Sequence, residues 1–66
     1  MLRPLTPRQK QVLLLCMEGR IDKEIAKVLG VSSSTVKNHK DAIRRKLGAT
    51  NMAQATAIYL RAGMGW

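Results

Sequence analysis

The sequence predicts an all-α fold, a compact domain of four short helices. Its apolar residues are mainly Leu, Val, Ile, Ala and Met, with one Tyr, one Trp and no Phe, a composition that favours helices over sheets. Residues that start and end helices divide the chain into four segments, and none of these alternates as a strand does. Sixty-six residues have room for one modest core. We therefore expect residues 1–66 to form a single domain with its core in about 5–62.

Helix one is predicted to begin after Thr6. Pro7 suits the first helical position, and Gln9, three residues after the cap, is placed to complete a capping box. Gly19 is expected to end the helix. Its apolar face is supplied by Val12, Leu13, Leu15 and Cys16.

Helices two and three have the spacing of a helix-turn-helix. Counted from Asp22 at the start of helix two, Ala26 is the fifth residue, Gly30 the ninth and Val36 the fifteenth. Such a unit needs a small residue where its helices cross and glycine where the turn takes a positive φ. It also needs a β-branched apolar residue to seat the second helix. The three positions meet these needs together.

Helix three is predicted from the Ser32 cap through about 33–47, with Gly48 ending it. A helical wheel gives it an apolar stripe of Val36, Ile43 and Leu47. The opposite side is broad, polar and mostly cationic: Ser34, Lys37, Asn38, Asp41, Arg44 and Arg45. A donor-rich surface of this width suits a DNA major groove.

Net charge supports an anionic partner. Twelve Lys and Arg residues against four acids give a formal charge of +8, which favours nucleic acid first and a membrane surface second. A membrane-surface peptide would place its basic residues opposite one continuous apolar face, whereas glycines interrupt this chain. We therefore expect double-stranded DNA as the partner.

The predicted DNA contacts divide by chemistry. Phosphate contacts are expected from hydroxyls at the start of helix three and from cations beside or beyond it: Ser33, Ser34, Thr35, Lys23, Arg44 and Arg45. Base-edge contacts are expected in its first two turns, from Lys37, Asn38 and Asp41. Lysine suits guanine acceptors, asparagine suits adenine and aspartate suits the cytosine amino group. The alternative is capping for the hydroxyls and an ordinary solvated side chain for the others.

Helix four is predicted at about 52–62, starting at Asn51, with Gln54 three positions on and Gly63 after its end. It is apolar nearly all round, so one face can meet helix one while another mediates self-association. The expected dimerisation residues are Ala55, Ile58, Tyr59 and Ala62. The alternative is that all of them belong to the core.

Other classes of function find little support. Cys16 is the sole cysteine, so no intramolecular disulfide is possible, and it is interpreted as a small buried hydrophobe. His39 lacks a second His or Cys beside it, which favours a half-buried, hydrogen-bonded structural histidine over a metal ligand. No nucleophile–base pair or glycine-rich phosphate loop is present, so we expect no enzyme, cofactor, metal or small-molecule substrate. Without a signal peptide or an apolar run of about 20 residues, a cytoplasmic protein is expected.

A set of segments between Leu5 and Ala55 carries a family resemblance: LTPRQ, VLLL, Gly19, KEIAKVL, VSSSTVKNH, Ile43, KLG and NMAQA. On these the chain resembles the LuxR-type (GerE-like) helix-turn-helix domain of bacterial transcription regulators. The resemblance implies that helix three reads the major groove and that helix four pairs with a second copy on a two-fold promoter site. It also implies base contacts from Lys37, Asn38 and Asp41, and phosphate contacts around Ser34 and Thr35.

Some residues depart from the family pattern. Glutamate is usual at Gln9 and Gln11, and an apolar residue is usual at Lys40. An arginine is usual at Met52, so ionic contacts at the start of helix four are expected to be absent.

The start of helix two also departs from the pattern. Serine or threonine usually caps this helix where Ile21 stands, so we expect no capping box with Glu24 and a compensating role for Asp22. Family members normally carry a receiver or ligand-binding domain before this unit. The chain is therefore expected to be an excised domain or a minimal protein.

Two classes of function follow. The first is sequence-specific DNA binding as a transcription regulator, with a homodimer on DNA. The second is a minimal interaction module that pairs with larger LuxR-type regulators through helix four and modulates their DNA binding. RNA polymerase is a further possible partner. A general promoter-recognition domain of the polymerase, which also uses a helix-turn-helix, is a third interpretation.

Overall fold

The computed structural model describes residues 4–62, which form four helices. They are α1 (Pro7–Met17), α2 (Asp22–Leu29), α3 (Ser33–Leu47) and α4 (Met52–Arg61). No strand occurs within this range, so the predicted all-α fold is confirmed. Ala62 is the C-cap of α4. Gly63, the predicted helix-ending residue, lies outside the described residues.

The predicted capping box at the start of α1 is confirmed. The Thr6 N–H donates to Gln9 Oε1 at 3.0 Å, and the Gln9 N–H donates to Thr6 Oγ1 at 3.1 Å. Gln9 is also buried, with 8% of its surface exposed, which the sequence did not predict. Its Oε1 accepts a second bond from Lys46 Nζ at 2.8 Å, and Lys46 Nζ also donates to the Pro4 carbonyl at 3.3 Å. One side chain thus ties the end of α3 to the start of α1.

Helices α1 and α3 each pack against all three other helices, and α3 is the centre of the domain because its contacts are the more extensive. The predicted stripe of Val36, Ile43 and Leu47 is buried, at 0%, 0% and 2% exposure. The remaining core residues come from every other helix and from the segment before α1: Leu5, Val12, Leu13, Ile25, Ala26, Ala55 and Tyr59. Burying one face of α3 fixes which residues its other face presents.

The turn between α2 and α3 has the predicted geometry. Gly30 takes φ +69°, a left-handed conformation that glycine adopts without Cβ strain. The Val31 N–H donates to the Ala26 carbonyl at 3.0 Å, closing the end of α2. Ala26 is 6% exposed where the helices cross.

The expected loss of the capping box on α2 is half right. Ile21 has no side-chain acceptor, so the cap makes no side-chain bond to the helix. The reciprocal bond persists, because Glu24 Oε1 accepts from the Ile21 N–H at 3.1 Å. Asp22 pairs with Lys40 across the helix-turn-helix, with Oδ1 2.7 Å from Nζ.

At the start of α4, Asn51 Oδ1 accepts from the Gln54 N–H at 2.8 Å, as predicted. The return bond goes elsewhere than to the cap. Gln54 Oε1 accepts from the N–H and hydroxyl of Thr50, at 2.7 and 3.1 Å. In the part of the chain that the structure describes, no helix has the length and apolar character needed to cross a membrane.

Candidate nucleic-acid interface

The side of α3 opposite its buried stripe is open to solvent. Ser33, Ser34, Lys37, Asn38 and Arg45 are exposed, and Asp41 and Arg44 are partly exposed. The fold therefore places the predicted α3 contact residues on one surface because Val36, Ile43 and Leu47 hold the other side in the core.

The three predicted hydroxyl ligands at the start of α3 differ in whether they are already hydrogen-bonded within the domain. Ser32 caps the helix by accepting from the Thr35 N–H at 3.1 Å, and the two hydroxyls are bonded to each other at 2.9 Å. Thr35 is half-buried, and its hydroxyl is engaged by the capping residue Ser32. The hydroxyls of Ser33 and Ser34 are exposed and make no hydrogen bond within residues 4–62. Those two remain available to a phosphate.

A groove of about 530 Å³ lies between the start of α2 and α3. It is lined by Arg20, Ile21, Asp22, Lys23, Ser33, Lys37 and Lys40. Lys23 is thus brought to the same groove as Lys37. The sequence analysis did not identify Arg20 as a residue of this groove, although a cation two residues before α2 could have indicated it. Arg20 Nε lies 3.0 Å from Glu18 Oε1 in an exposed pair.

A second groove of about 310 Å³ continues along α3. It is lined by two acids and three cations: Asp22, Asp41, Lys37, Lys40 and Arg44. Asp41 and Arg44, one turn apart, form an ion pair, and Asp22 and Lys40 form another. Each acid on this surface therefore has a cationic partner.

These pairs reduce the number of available cations on α3. Lys40 is held by Asp22, Lys46 by Gln9, and Arg44 by Asp41. Lys37 and Arg45 are exposed and form no ion pair or hydrogen bond with other described residues. Both are therefore available to an anionic partner.

Cys16 is half-buried and packs against the core. Burial raises the pKa of its thiol, Lys40 acts to lower this pKa, and Asp22 acts to raise it. The packing of Cys16 against the core is in keeping with its interpretation as a small hydrophobe.

His39 is half-buried as predicted, but the expected hydrogen bond is absent from the described part of the chain. Residues 4–62 contain no cluster of three or more His, Cys, Asp or Glu side chains able to hold a metal ion.

The structure corrects half of the predicted dimerisation surface on α4. Ala55 and Tyr59 are 0% and 3% exposed and pack in the domain's own core, so a second copy cannot reach them. Ile58 is partly exposed and Ala62 is exposed. Leu60, on another side of the helix, is 48% exposed.

Comparison with known proteins gives consistent matches. The family model described as "Bacterial regulatory proteins, luxR family" matches residues 3–59. The transcriptional regulatory protein MctR of Rhizobium johnstonii is 46% identical over 50 residues, which are 76% of this chain and 23% of MctR. The spore germination protein GerE of Bacillus subtilis is 39% identical over 59 residues, 89% of this chain and 80% of GerE.

Solved structures agree with the fold. The transcription factor GerE superposes with a TM-score of 0.87 and 34% identity, covering 92% of each chain. A VqmA–ligand–DNA complex from Vibrio cholerae superposes with a TM-score of 0.87 and 34% identity, covering 98% of this chain and 29% of VqmA. The chain thus spans less than a third of MctR and of VqmA, but most of GerE.

Proposed function

Because the chain belongs to the luxR family of bacterial regulatory proteins, we propose that it binds a specific double-stranded DNA sequence with α3 in the major groove. It is a helix-turn-helix DNA-binding domain of a transcriptional regulator and not an enzyme. The observation that supports the proposed binding mode is the surface of α3 opposite its buried stripe, with Lys37, Asn38 and Asp41 in its first turns. Action on bacterial DNA places the protein in the cytoplasm.

In this proposal, different residues contact the phosphate backbone and the base edges. Ser33, Ser34 and Lys23 flank the start of α3 and hold phosphates on one side of the groove. Arg45, one to two turns past the base-reading residues, holds the backbone where the helix leaves the groove floor. With about four phosphates neutralised per domain, log K falls with log salt at a slope of about −3 to −4.

Asp41 has a double role. An acid facing DNA is repelled by phosphates, and here its charge is offset by Arg44. The pair directs the Arg44 guanidinium along the helix, while the second carboxylate oxygen is left to accept from a cytosine amino group. Asp41 therefore contributes to base preference and lowers affinity for unrelated sequences.

This division is tested by truncating one residue of each kind. Lys37→Ala is expected to cost about 1–3 kcal/mol on the preferred site and little on random DNA, because base contacts are sequence-dependent. Arg45→Ala is expected to weaken both by similar factors and to reduce the salt slope by about one. Asp41→Ala is expected to relax base preference while holding or raising affinity for random DNA.

The measurement is fluorescence anisotropy with a selected site and a random-sequence duplex at one salt concentration. The selected site comes from enrichment of bound fragments from random DNA. Parallel losses on both duplexes in all three variants would show that the base-reading residues are misassigned. Absence of DNA binding by the folded wild-type domain would reject the proposed function itself.

Two domains are proposed to occupy a two-fold site through α4. Ile58 is half-buried against the domain's own core and Ala62 is exposed, so this edge of α4 is the part of the predicted surface that a second copy can reach. It is small, so the domain is expected to associate on DNA and to be monomeric without it. The same side favours the second candidate function, pairing with a larger LuxR-type regulator; such a module would co-purify with its relative yet fail to shift DNA alone.

A further inference from the structure

Lys40 is a cation of α3 that lies beside the buried stripe, at the edge of the proposed DNA surface, and does not point freely into solvent. It lines both grooves of the proposed interface, between Lys37 on one side and Arg44 on the other. Its Nζ lies 2.7 Å from Asp22 Oδ1, and the side chains of Lys40 and Asp22 are only 23% and 25% exposed. The pair joins residues 18 positions apart and bridges α2 to α3.

The partial burial of this pair affects its strength. Attraction between opposite charges in contact grows as solvent is excluded, whereas fully exposed pairs are screened and weak. The exposed Arg20–Glu18 pair, with side chains 43% and 58% exposed, is the contrasting case in the same domain. A phosphate that takes Lys40 as its counterion competes with Asp22 for the same charge, and drawing Lys40 away from Asp22 leaves a partly buried carboxylate uncompensated beside the DNA.

We propose that Asp22 withholds Lys40 from the DNA backbone and so limits the number of phosphates that the domain neutralises. Asp22 is then an affinity-limiting residue of the interface, and Lys40 is a reserve cation that lies at the groove without gripping it. The inference rests on the proposed DNA-binding function and adds a regulator of its strength. Lys37 lines the same grooves but has no partner among the described residues, so no acid withholds it from DNA.

The salt dependence of binding separates this role from a purely structural one. Each phosphate contact adds about 0.9 to the slope of log K against log salt. Asp22→Asn removes the charge that holds Lys40 but keeps the side-chain shape. We expect the freed amine to reach a phosphate, making the slope steeper by about one and raising the affinity for random DNA. A steeper slope of this size means an about eightfold larger gain in affinity for each tenfold fall in salt.

Lys40→Met and the double variant complete the cycle. Lys40→Met is expected to leave the slope unchanged, because the paired lysine does not contact phosphate in the wild type. Asp22→Asn combined with Lys40→Met is expected to match the slope of Lys40→Met alone. That equality shows that the effect of Asp22→Asn acts through Lys40 and is not simple loss of a negative charge. Lys27→Met, which removes an exposed lysine that lines neither groove, is the matched control and leaves the slope unchanged.

The experiment is an anisotropy titration of the 66-residue domain and its variants against a random-sequence duplex over a range of salt, with thermal melts as the folding check. A slope unchanged by Asp22→Asn overturns the inference, and so does a slope reduced by one in Lys40→Met, since Lys40 would then already grip phosphate. A shift in melting temperature without a change in slope means that the pair is only structural. If Asp22→Asn fails to fold, Asp22→Ser carries the same expectation.

The proposed function and the inference fail differently. A wild-type domain that is folded but shows no salt-dependent binding rejects both. A wild-type slope of about −3 to −4, with Asp22→Asn parallel to it, rejects the inference and leaves the proposed function in place.

Discussion

At the residue scale, the side chain of Gln9 does more than its position in the sequence indicates. Its oxygen caps α1 and also accepts from Lys46, whose Nζ lies 2.8 Å away. A neutral amide therefore faces an ammonium group at the positive end of a helix. The family pattern, in which glutamate is usual at this position, would place a carboxylate there instead.

Gln9→Glu is accordingly expected to stabilise the domain by about 0.5–1.5 kcal/mol. The substitution would create an ion pair with Lys46 and place a negative charge in the first turn of α1. Urea unfolding at pH 7 and low salt measures the change. Gln11→Glu is the matched control, because Gln11 is exposed and lies beyond the first turn, so its effect is expected to be smaller. Equal gains from both variants would mean that general charge reduction, and not the Lys46 contact, is the cause.

Some residue roles were not predictable from the sequence because their partners are distant along the chain. Lys40 and Lys46 lie outside the broad polar side that helical periodicity gives α3, and periodicity gives no sign of the residues that they contact. Their partners Asp22 and Gln9 lie 18 and 37 residues away. Local signals were reliable where the partner is three residues away, as for Thr6 with Gln9.

At the element scale, α4 shows a case in which helical periodicity does not predict the buried face. Its boundaries were predictable because Asn51 caps its start, but nearly every position in it is apolar, so no single face stands out as the buried one. Packing against α3 and α1 selects Ala55 and Tyr59 for the core. In α3, by contrast, the apolar residues form a single stripe, and its buried residues were predicted correctly.

A charge placed on α4 tests which side self-associates. At 100° per residue, Ala62 lies about 40° from Ile58, and Leu60 lies about 160° from Ile58. Ala62→Glu is expected to reduce cooperativity on a two-fold site to about none, because it puts two like charges into a small interface. Binding to a single half-site is expected to be unchanged.

Leu60→Glu is the matched control and is expected to keep cooperativity, since it adds the same charge on the opposite side. Gel shifts with one-site and two-site DNA measure both quantities. Loss of cooperativity in Leu60→Glu alone would move the interface to that side. Tyr59→Asp is no test of association, because a charge at a 3% exposed position is expected to unfold the domain.

At the scale of the whole molecule, the net charge of +8 destabilises the folded domain and strengthens its binding to DNA. Like charges on a small domain repel one another, and only three ion pairs offset them within the described residues. Salt screens the repulsion in the folded domain and also weakens the phosphate contacts.

Raising salt from about 0.05 to 0.5 M is therefore expected to increase the melting temperature by about 4–8 °C, equivalent to about 1 kcal/mol for a domain of this size. DNA affinity is expected to fall over the same range. Circular-dichroism melts and anisotropy titrations in matched buffers measure the two trends. A melting temperature that falls with salt would show that the ion pairs outweigh the net repulsion.

The burial of Tyr59 has a practical consequence for spectroscopy. It is the one tyrosine in the sequence and packs behind α3, on the side of that helix away from the proposed DNA surface. Biosynthetic incorporation of 3-fluorotyrosine would give the domain a single fluorine nucleus located in its core. Its resonance would report on the interior during a DNA titration: a rigid docking event leaves the chemical shift in place, whereas a rearrangement of the helices moves it.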